Sequence, residues 1–145
     1  MSPREAMLAG EELTMSEPLI FINTYAIKEG MADRYRERSE EVISMVRSEQ
    51  PQMIYFAFYI NEEGTEATTL QVHPDSESML RHMKLAEKHI EQSVEFIDFT
   101  KMEIHLYGNP NAAVLDMMRQ LSGTGVPITI KASVSTVNRL QTVSA

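Results

Sequence analysis

Cysteine and tryptophan are both missing from this 145-residue chain. Without cysteine there can be no disulfide scaffold, no thiolate-held zinc or iron–sulfur site and no thiol nucleophile. Positive charge is scarce: 13 lysines and arginines stand against 21 aspartates and glutamates, a formal net charge of −8. A surface of that sign repels phosphate backbones and anionic lipid, which argues against nucleic-acid and membrane partners. No apolar run approaches the ~18–20 residues of a membrane span. The first 17 residues carry Arg4, Glu5, Glu11, Glu12 and Glu17 and lack the apolar stretch of a secretory signal, so the cytoplasm is the expected location. Glycine and proline number only six each, and the apolar content of 43% is too high for a disordered chain. At this length folding buries about 68–70% of the chain's surface, enough for one core without staples.

Three stretches can be told apart. Residues 1–17 have weak periodicity and read as a flexible segment, at most a short helix over Ala6–Leu13, and Met15-Ser16-Glu17-Pro18 reads like a natural start. Residues 18–110 form the main domain. Residues 111–145 form a C-terminal helix and strand, part of the same domain or packed on a partner subunit. After Pro110 the charged residues are Asp116, Arg119, Lys131 and Arg139, a net +2, which leaves −10 for residues 1–110. The tail is thus electrostatically suited to lie across the acidic body or a second subunit.

Within the domain, β-branched and aromatic residues over Leu19–Lys28 predict a first strand ended by Glu29-Gly30. Met31–Gln50 spaces Met31, Tyr35, Val42, Met45 and Val46 at helical intervals, and Pro51 closes it. Met53–Ile60 is an apolar strand, Asn61-Glu62-Glu63-Gly64-Thr65 a hairpin turn, and Ala67–His73 the third strand. Asp75 or Ser76 can cap a second helix reaching about Phe96, with Met79, Met83, Ala86 and Ile90 as its apolar stripe. Lys101–Tyr107 is a fourth strand, Ala112–Leu121 a short helix, and Val126–Ala132 a fifth strand, extending toward Val137. Two split βαβ units with right-handed crossovers predict an α+β, ferredoxin-like sheet with strands one and three central and helices on one face.

Alternation sorts each strand into two sets. Ile20, Ile22, Ile54, Phe56, Phe58, Ile60, Leu70, Val72, Met102, Ile104 and Leu106 are expected under the helices. The opposite set is Phe21, Asn23, Tyr25, Met53, Tyr55, Ala57, Tyr59, Thr69, Gln71, His73, Glu103, His105 and Tyr107. Aromatics with polar tips suit interfaces and ligand cavities. This second face is therefore expected to be covered by a homodimer partner, either as a plain interface or around a small, flat or apolar ligand.

The stretch Phe21-Ile22-Asn23-Thr24-Tyr25-Ala26-Ile27-Lys28-Glu29-Gly30, the hairpin Met53–His73 followed by Pro74-Asp75-Ser76-Glu77, and the tail Gly125-Val126-Pro127-Ile128-Thr129-Ile130-Lys131 together resemble the dimeric α/β-barrel superfamily. Within it, the chain is similar to the antibiotic-biosynthesis-monooxygenase-like proteins over about Leu19–Tyr107. The resemblance implies a homodimer and a cofactor-independent monooxygenase acting on a small aromatic or polyketide-like molecule. The cavity would lie between sheet and helices. The alternatives are a non-enzymatic ligand-binding or structural dimer module and, more weakly, a haem-binding or haem-degrading protein. The haem-degrading branch implies an asparagine seven residues before the strand-ending glycine, as Asn23 and Gly30 stand here. It also implies a tryptophan near the place of His82 and a ligand histidine where Gln92 stands, with His89 nearest. Those two departures disfavour haem, and no cofactor or metal is expected.

Asn23, His82 and His89 are the candidate catalytic residues, and Tyr25, Tyr55, Tyr59, His73, His105 and Tyr107 the candidate substrate contacts. His82 and His89 share a helix face about 10.5 Å of rise apart, too far for one metal ion. Either can serve as an acid or base, or be an amphipathic side chain at the helix flank. His73 and His105 are expected roughly 9–10 Å apart on the mixed face, across strand one, with Asn23 or Tyr25 between them. Buried, satisfied histidines fit the pattern as well. Cofactor-free oxygenation needs a pocket that deprotonates a phenol-like substrate and shelters the anion, and Asn23 is of the right type to stabilise that charge. Arg34, Arg36 and Arg38, interleaved with Glu37, Glu40 and Glu41, read as a solvated helix face.

Overall fold

The computed structural model describes residues 17–140, so the expected Ala6–Leu13 helix and the start at Met15 lie outside the described residues. The elements are β1 (Leu19–Ile27), α1 (Ala32–Glu49), β2 (Tyr55–Ile60), β3 (Glu66–His73), α2 (Ser76–Ser93), β4 (Ile97–Tyr107), α3 (Ala112–Ser122) and β5 (Ile128–Lys131). They form one five-stranded sheet in the order β2-β3-β1-β4-β5. The first four strands pair antiparallel, with β1 and β3 central as expected of the α+β ferredoxin-like class; β5 adds to β4 in parallel after the α3 crossover.

Local chemistry sets the boundaries. Asp75 caps α2 by accepting from the Ser78 N–H at 2.8 Å, and Asn111 caps α3 by accepting from Val114 N–H at 3.0 Å. Asn61 Oδ1 accepts from the N–H groups of Thr65 and Glu66 and closes the β2–β3 hairpin. Gly64 in that turn has φ +72°, a region other residues rarely enter. β4 begins at Ile97, earlier than the sequence pattern suggested, because a register shift between Thr24 and Ala26 lets Ala26 and Ile27 pair with Asp98 and Ile97. α2 accordingly stops at Ser93. β5 is shorter than expected: Pro127 has no N–H to donate, and residues 132–140 run on without helix or strand.

Three apolar clusters lie between sheet and helices. Leu19, Phe21, Met79, Ile104, Leu106, Val114 and Met118 form one; Tyr25, Ile27, Tyr35, Ala67, Phe96 and Ile97 another; Val42, Val46 and Met53 a third. In the second, Tyr35 meets Tyr25, Phe58 and Phe96 edge-on at ring separations of 6.0–6.1 Å.

The face assignment needs correction in the two central strands. Paired residues share a face, and the register joins Phe21 to both Gln71 and Leu106, and Gln71 to Phe56. Phe21, Asn23, Tyr25, Thr69, Gln71 and His73 therefore face the helices along with Phe56, Phe58, Ile104 and Leu106. Ile20, Ile22, Leu70 and Val72 share the outer face with Tyr55, Ala57, Tyr59, Glu103, His105 and Tyr107. Within β2 (Tyr55–Ile60) and β4 the sets fall as expected and the β1 and β3 sets are exchanged; Met53, expected on the outer face, precedes β2 and is buried against Val42 and Val46 of α1 instead.

Candidate functional site

The helix side of the sheet holds a sheltered cavity of about 660 Å³ that borders all three apolar clusters. Its floor is Phe21, Asn23, Tyr25, Phe56, Phe58, Thr69, Gln71 and Ile104 from the sheet. α1 contributes Tyr35, Arg38, Ser39 and Val42, and α2 contributes His82, Met83, Ala86, His89 and Ile90. Phe96, Phe99 and Met102, with Thr124–Val126 after α3, complete the lining. The chamber wall is mainly apolar, with several phenylalanine and tyrosine rings and polar groups set among them, as ligand sites commonly are.

Of the sequence candidates, the structure brings Asn23, Tyr25, His82 and His89 to this cavity. His73 is buried beside it, and its ring centroid is 5.6 Å from that of His82. Tyr55, Tyr59, His105 and Tyr107 lie on the outer face. There the Tyr55 and Tyr59 hydroxyls are 2.5 Å apart and His105 stacks on Tyr107 at 6.2 Å. The expected His73–His105 pair is therefore split across the sheet, because residues 73 and 105 have opposite phase in strands that both pair with β1.

Hydrogen bonds give the three inner histidines different chemistry. His73 Nε2–H donates to Gln71 Oε1 at 2.9 Å and Nδ1 accepts from the Ser78 hydroxyl at 2.8 Å, so neither nitrogen is free. His89 Nδ1 takes a proton donor from Arg38, and its Nε2–H points at the Met45 sulfur. His82 Nδ1–H donates to Gln50 Oε1 at 2.6 Å, and its Nε2 has no partner among the described residues. Burial pushes His73 down to about 3, with His82 beside it adding to the effect. Burial likewise pushes His82 down to about 4, with His89 adding. His89 is lowered by burial and then by the Arg38 charge. All three are neutral imidazoles near pH 7, and only His82 has an unclaimed lone pair.

Two other polar atoms complete the site. Asn23 Oδ1 and Arg38 Nε are buried without a partner among the described residues, and both side chains line the cavity. A buried polar atom left unsatisfied costs about 1–3 kcal/mol, a cost that a bound ligand can remove. Arg38 departs from the solvated face expected for it. Arg34 and Arg36 make exposed pairs with Glu37 and Asp33, whereas Arg38 turns in to His89 and Gln92 while keeping Glu41 at 2.7 Å. Tyr25 and Tyr35 share a hydrogen bond of 2.8 Å, Tyr25 also meets Thr69 Oγ1 at 2.8 Å, and burial raises the pKa of both phenols.

Arg38 and Gln50 are the site residues that sequence reasoning missed. The signal for Gln50 was present: the buried stripe Tyr35, Val42, Val46 continues at i+4 to Gln50, a polar residue in a core position. The haem pattern fits poorly. Both nitrogens of His89 are engaged, Gln92 is held by Arg38, and no tryptophan stands near His82. Among the described residues no group of three or more metal-ligating side chains converges, and no helix is long and apolar enough to cross a membrane.

No family model matches the chain, and no curated protein matches it. Solved structures do. The crystal structure of MupZ from Pseudomonas fluorescens is 17% identical with TM-score 0.66, covering 89% of this chain and 100% of that one. A variant of SnoaB, a cofactor-independent oxygenase from Streptomyces nogalater, is 11% identical with TM-score 0.54 over 67% of this chain and 97% of that one. A proposed antibiotic biosynthesis monooxygenase from Bacteroides thetaiotaomicron is 14% identical with TM-score 0.53 over 60% and 84%. The chain has the antibiotic-biosynthesis-monooxygenase-like fold.

Proposed function

We propose that the chain is a cofactor-independent oxygenase of a small hydroxylated aromatic molecule, with His82 as base and Arg38 and Asn23 as the groups that receive the bound anion. One observation carries this: a mainly apolar chamber holds an unclaimed imidazole lone pair together with two buried polar atoms that the protein leaves unpartnered. The likeness in fold to a cofactor-independent oxygenase supports the same reading.

In this mechanism a phenolic O–H donates to His82 Nε2 and passes its proton there only as the Arg38 cation stabilises the phenolate, and the anion beside the ring raises the imidazole above its ligand-free value of about 4. Arg38 Nε–H donates to the anion that forms, and Asn23 Oδ1 accepts from a second donor on the ligand and orients it. Exclusion of water keeps the anion electron-rich. Dioxygen then oxidises the ring carbon para to the phenolate. That C–H becomes a quinone carbonyl carrying one oxygen atom, the other leaves as water, and the substrate supplies every electron.

The test is titration with hydroxylated naphthalenes and anthracenes, followed by quenching of tyrosine emission, with dioxygen consumption measured on the ligands that bind. His82→Gln should abolish quinone formation and Asn23→Ala should lower it at least tenfold. Failure of all such ligands to bind would overturn the proposal. Binding without turnover would replace it with a non-enzymatic ligand-binding module.

The outer sheet face supports a homodimer. Ile20, Ile22 and Leu70 form an apolar centre flanked by Tyr55, Tyr59, His105 and Tyr107, and none of the described helices covers it. In the segment after β5, Val134 is fully exposed and Val137 is 78% exposed, which suits an arm that reaches a second subunit.

A further inference from the structure

We infer that Gln50 is a positioning residue: its carbonyl oxygen fixes the proton of His82 on Nδ1, so that Nε2 is the lone-pair nitrogen of a ring bordering the cavity. Which nitrogen of a neutral histidine carries the proton is set by the hydrogen bond made by the other. Here the bond is Gln50 Oε1 to His82 Nδ1 at 2.6 Å. Gln50 is 1% exposed and does not line the cavity, so the bond approaches His82 from behind, out of reach of a ligand.

The backbone holds Gln50 in place. It ends α1, with its N–H bonded to Val46 O at 2.9 Å and its own carbonyl accepting from Met53 N–H at 3.2 Å. Pro51 disfavours helical backbone at the preceding residue, and Gln50 takes φ −131° and ψ 62°. The His82 ring is further confined by Phe56, 5.1 Å away between centroids. A glutamine is suited to this task. A carboxylate in the same place would draw a proton onto the ring and remove the lone pair, whereas a neutral amide orients the ring without charging it. The Gln50 Nε2 is left buried and unpartnered, so the amide makes one bond there at the expense of another.

The inference rests on the cavity being the ligand site, but its test does not. Long-range proton–nitrogen correlation spectra of protein with isotope-labelled histidine distinguish the two tautomers, and the His82 signal is identified by its loss in His82→Gln. At neutral pH the unaltered protein should show His82 protonated on Nδ1. Gln50→Met, similar in size but without a carbonyl, should shift it toward the Nε2–H form. Gln50→Glu should keep the proton on Nδ1 and move the ring toward the doubly protonated form, with a second proton on Nε2. An Nε2–H signal in the unaltered protein, as an inverted amide would give, overturns the inference. So does an unchanged tautomer in Gln50→Met. If Gln50→Met fails to fold, the unaltered protein and Gln50→Glu still decide. With an oxidised ligand in hand, Gln50→Met should lower kcat at least tenfold and leave KM within twofold. A cavity that binds nothing would defeat the proposed function and leave these spectra as they are.

Discussion

His73 and His82 lie in the interior with ring centroids 5.6 Å apart, and each is tied to a glutamine: His73 to Gln71 on its own strand, His82 to Gln50 at the end of α1. The pair links β3, α1 and α2 through neutral rings. Burial lowers their proton affinity to about 3 and about 4, against 6.5 for the exposed group. The unfolded chain therefore binds protons that the folded chain refuses between pH 6.5 and about 4. Stability from this source is intact above pH 6.5 and falls as the medium is acidified, by about 1.4 kcal/mol per pH unit for each histidine. Urea unfolding from pH 7.5 to 4 should show that loss, and His73→Gln with His82→Gln should flatten it. An equally steep profile in the double variant would assign the acid sensitivity to other groups.

The phenols of Tyr25 and Tyr35 form a second buried network with Thr69. Tyr25→Phe strips a partner from both Tyr35 and Thr69, and should cost about 1–3 kcal/mol in chemical denaturation. Tyr35→Phe leaves the Tyr25–Thr69 bond in place and should cost less. The double variant should be less destabilised than the sum of the two singles, since the hydroxyls act on one another.

Asn23 offers the reverse experiment. Its Oδ1 is already unsatisfied, so Asn23→Leu removes a buried polar atom that gains nothing in the ligand-free protein. The variant should melt no lower than the parent while binding hydroxylated aromatics at least tenfold more weakly. A large loss of stability would mean that Asn23 is structural.

On the outer face, Leu70→Arg places a charge among Ile20, Ile22 and Val72 without entering the helix-side core. Sedimentation should show a dimer for the parent and a monomer with unchanged circular dichroism for the variant. Removing the residues after Lys131 should weaken the dimer to a smaller degree.

Element order, helix spans and sheet topology were legible because their signals are local: Pro51 and Pro74, the Asn61–Thr65 turn, and the spacing of Val42 and Val46. Facing was legible only in part. In β1 the choice lies between Ile20 with Ile22 and Phe21 with Asn23 and Tyr25, and the rule that the apolar set goes inward selects the wrong one. That rule fails here because the inner face lines a chamber with amides and phenols while the outer face carries the aliphatic set. Only the register, Phe21 against Gln71 against Phe56, settles it, and register is not a local property. His82 was found by its residue type. Gln50 went unremarked because a glutamine before a proline looks like any helix end.

The chamber has one further consequence. Since it touches every apolar cluster of the domain, a guest inside it shores up the whole fold, by about 2.7 kcal/mol at a hundred times its dissociation constant through mass action alone. Heat resistance thus becomes an assay for the proposed ligand: a compound library ranked by how far each member delays melting tests the chamber for a guest without needing a reaction to follow.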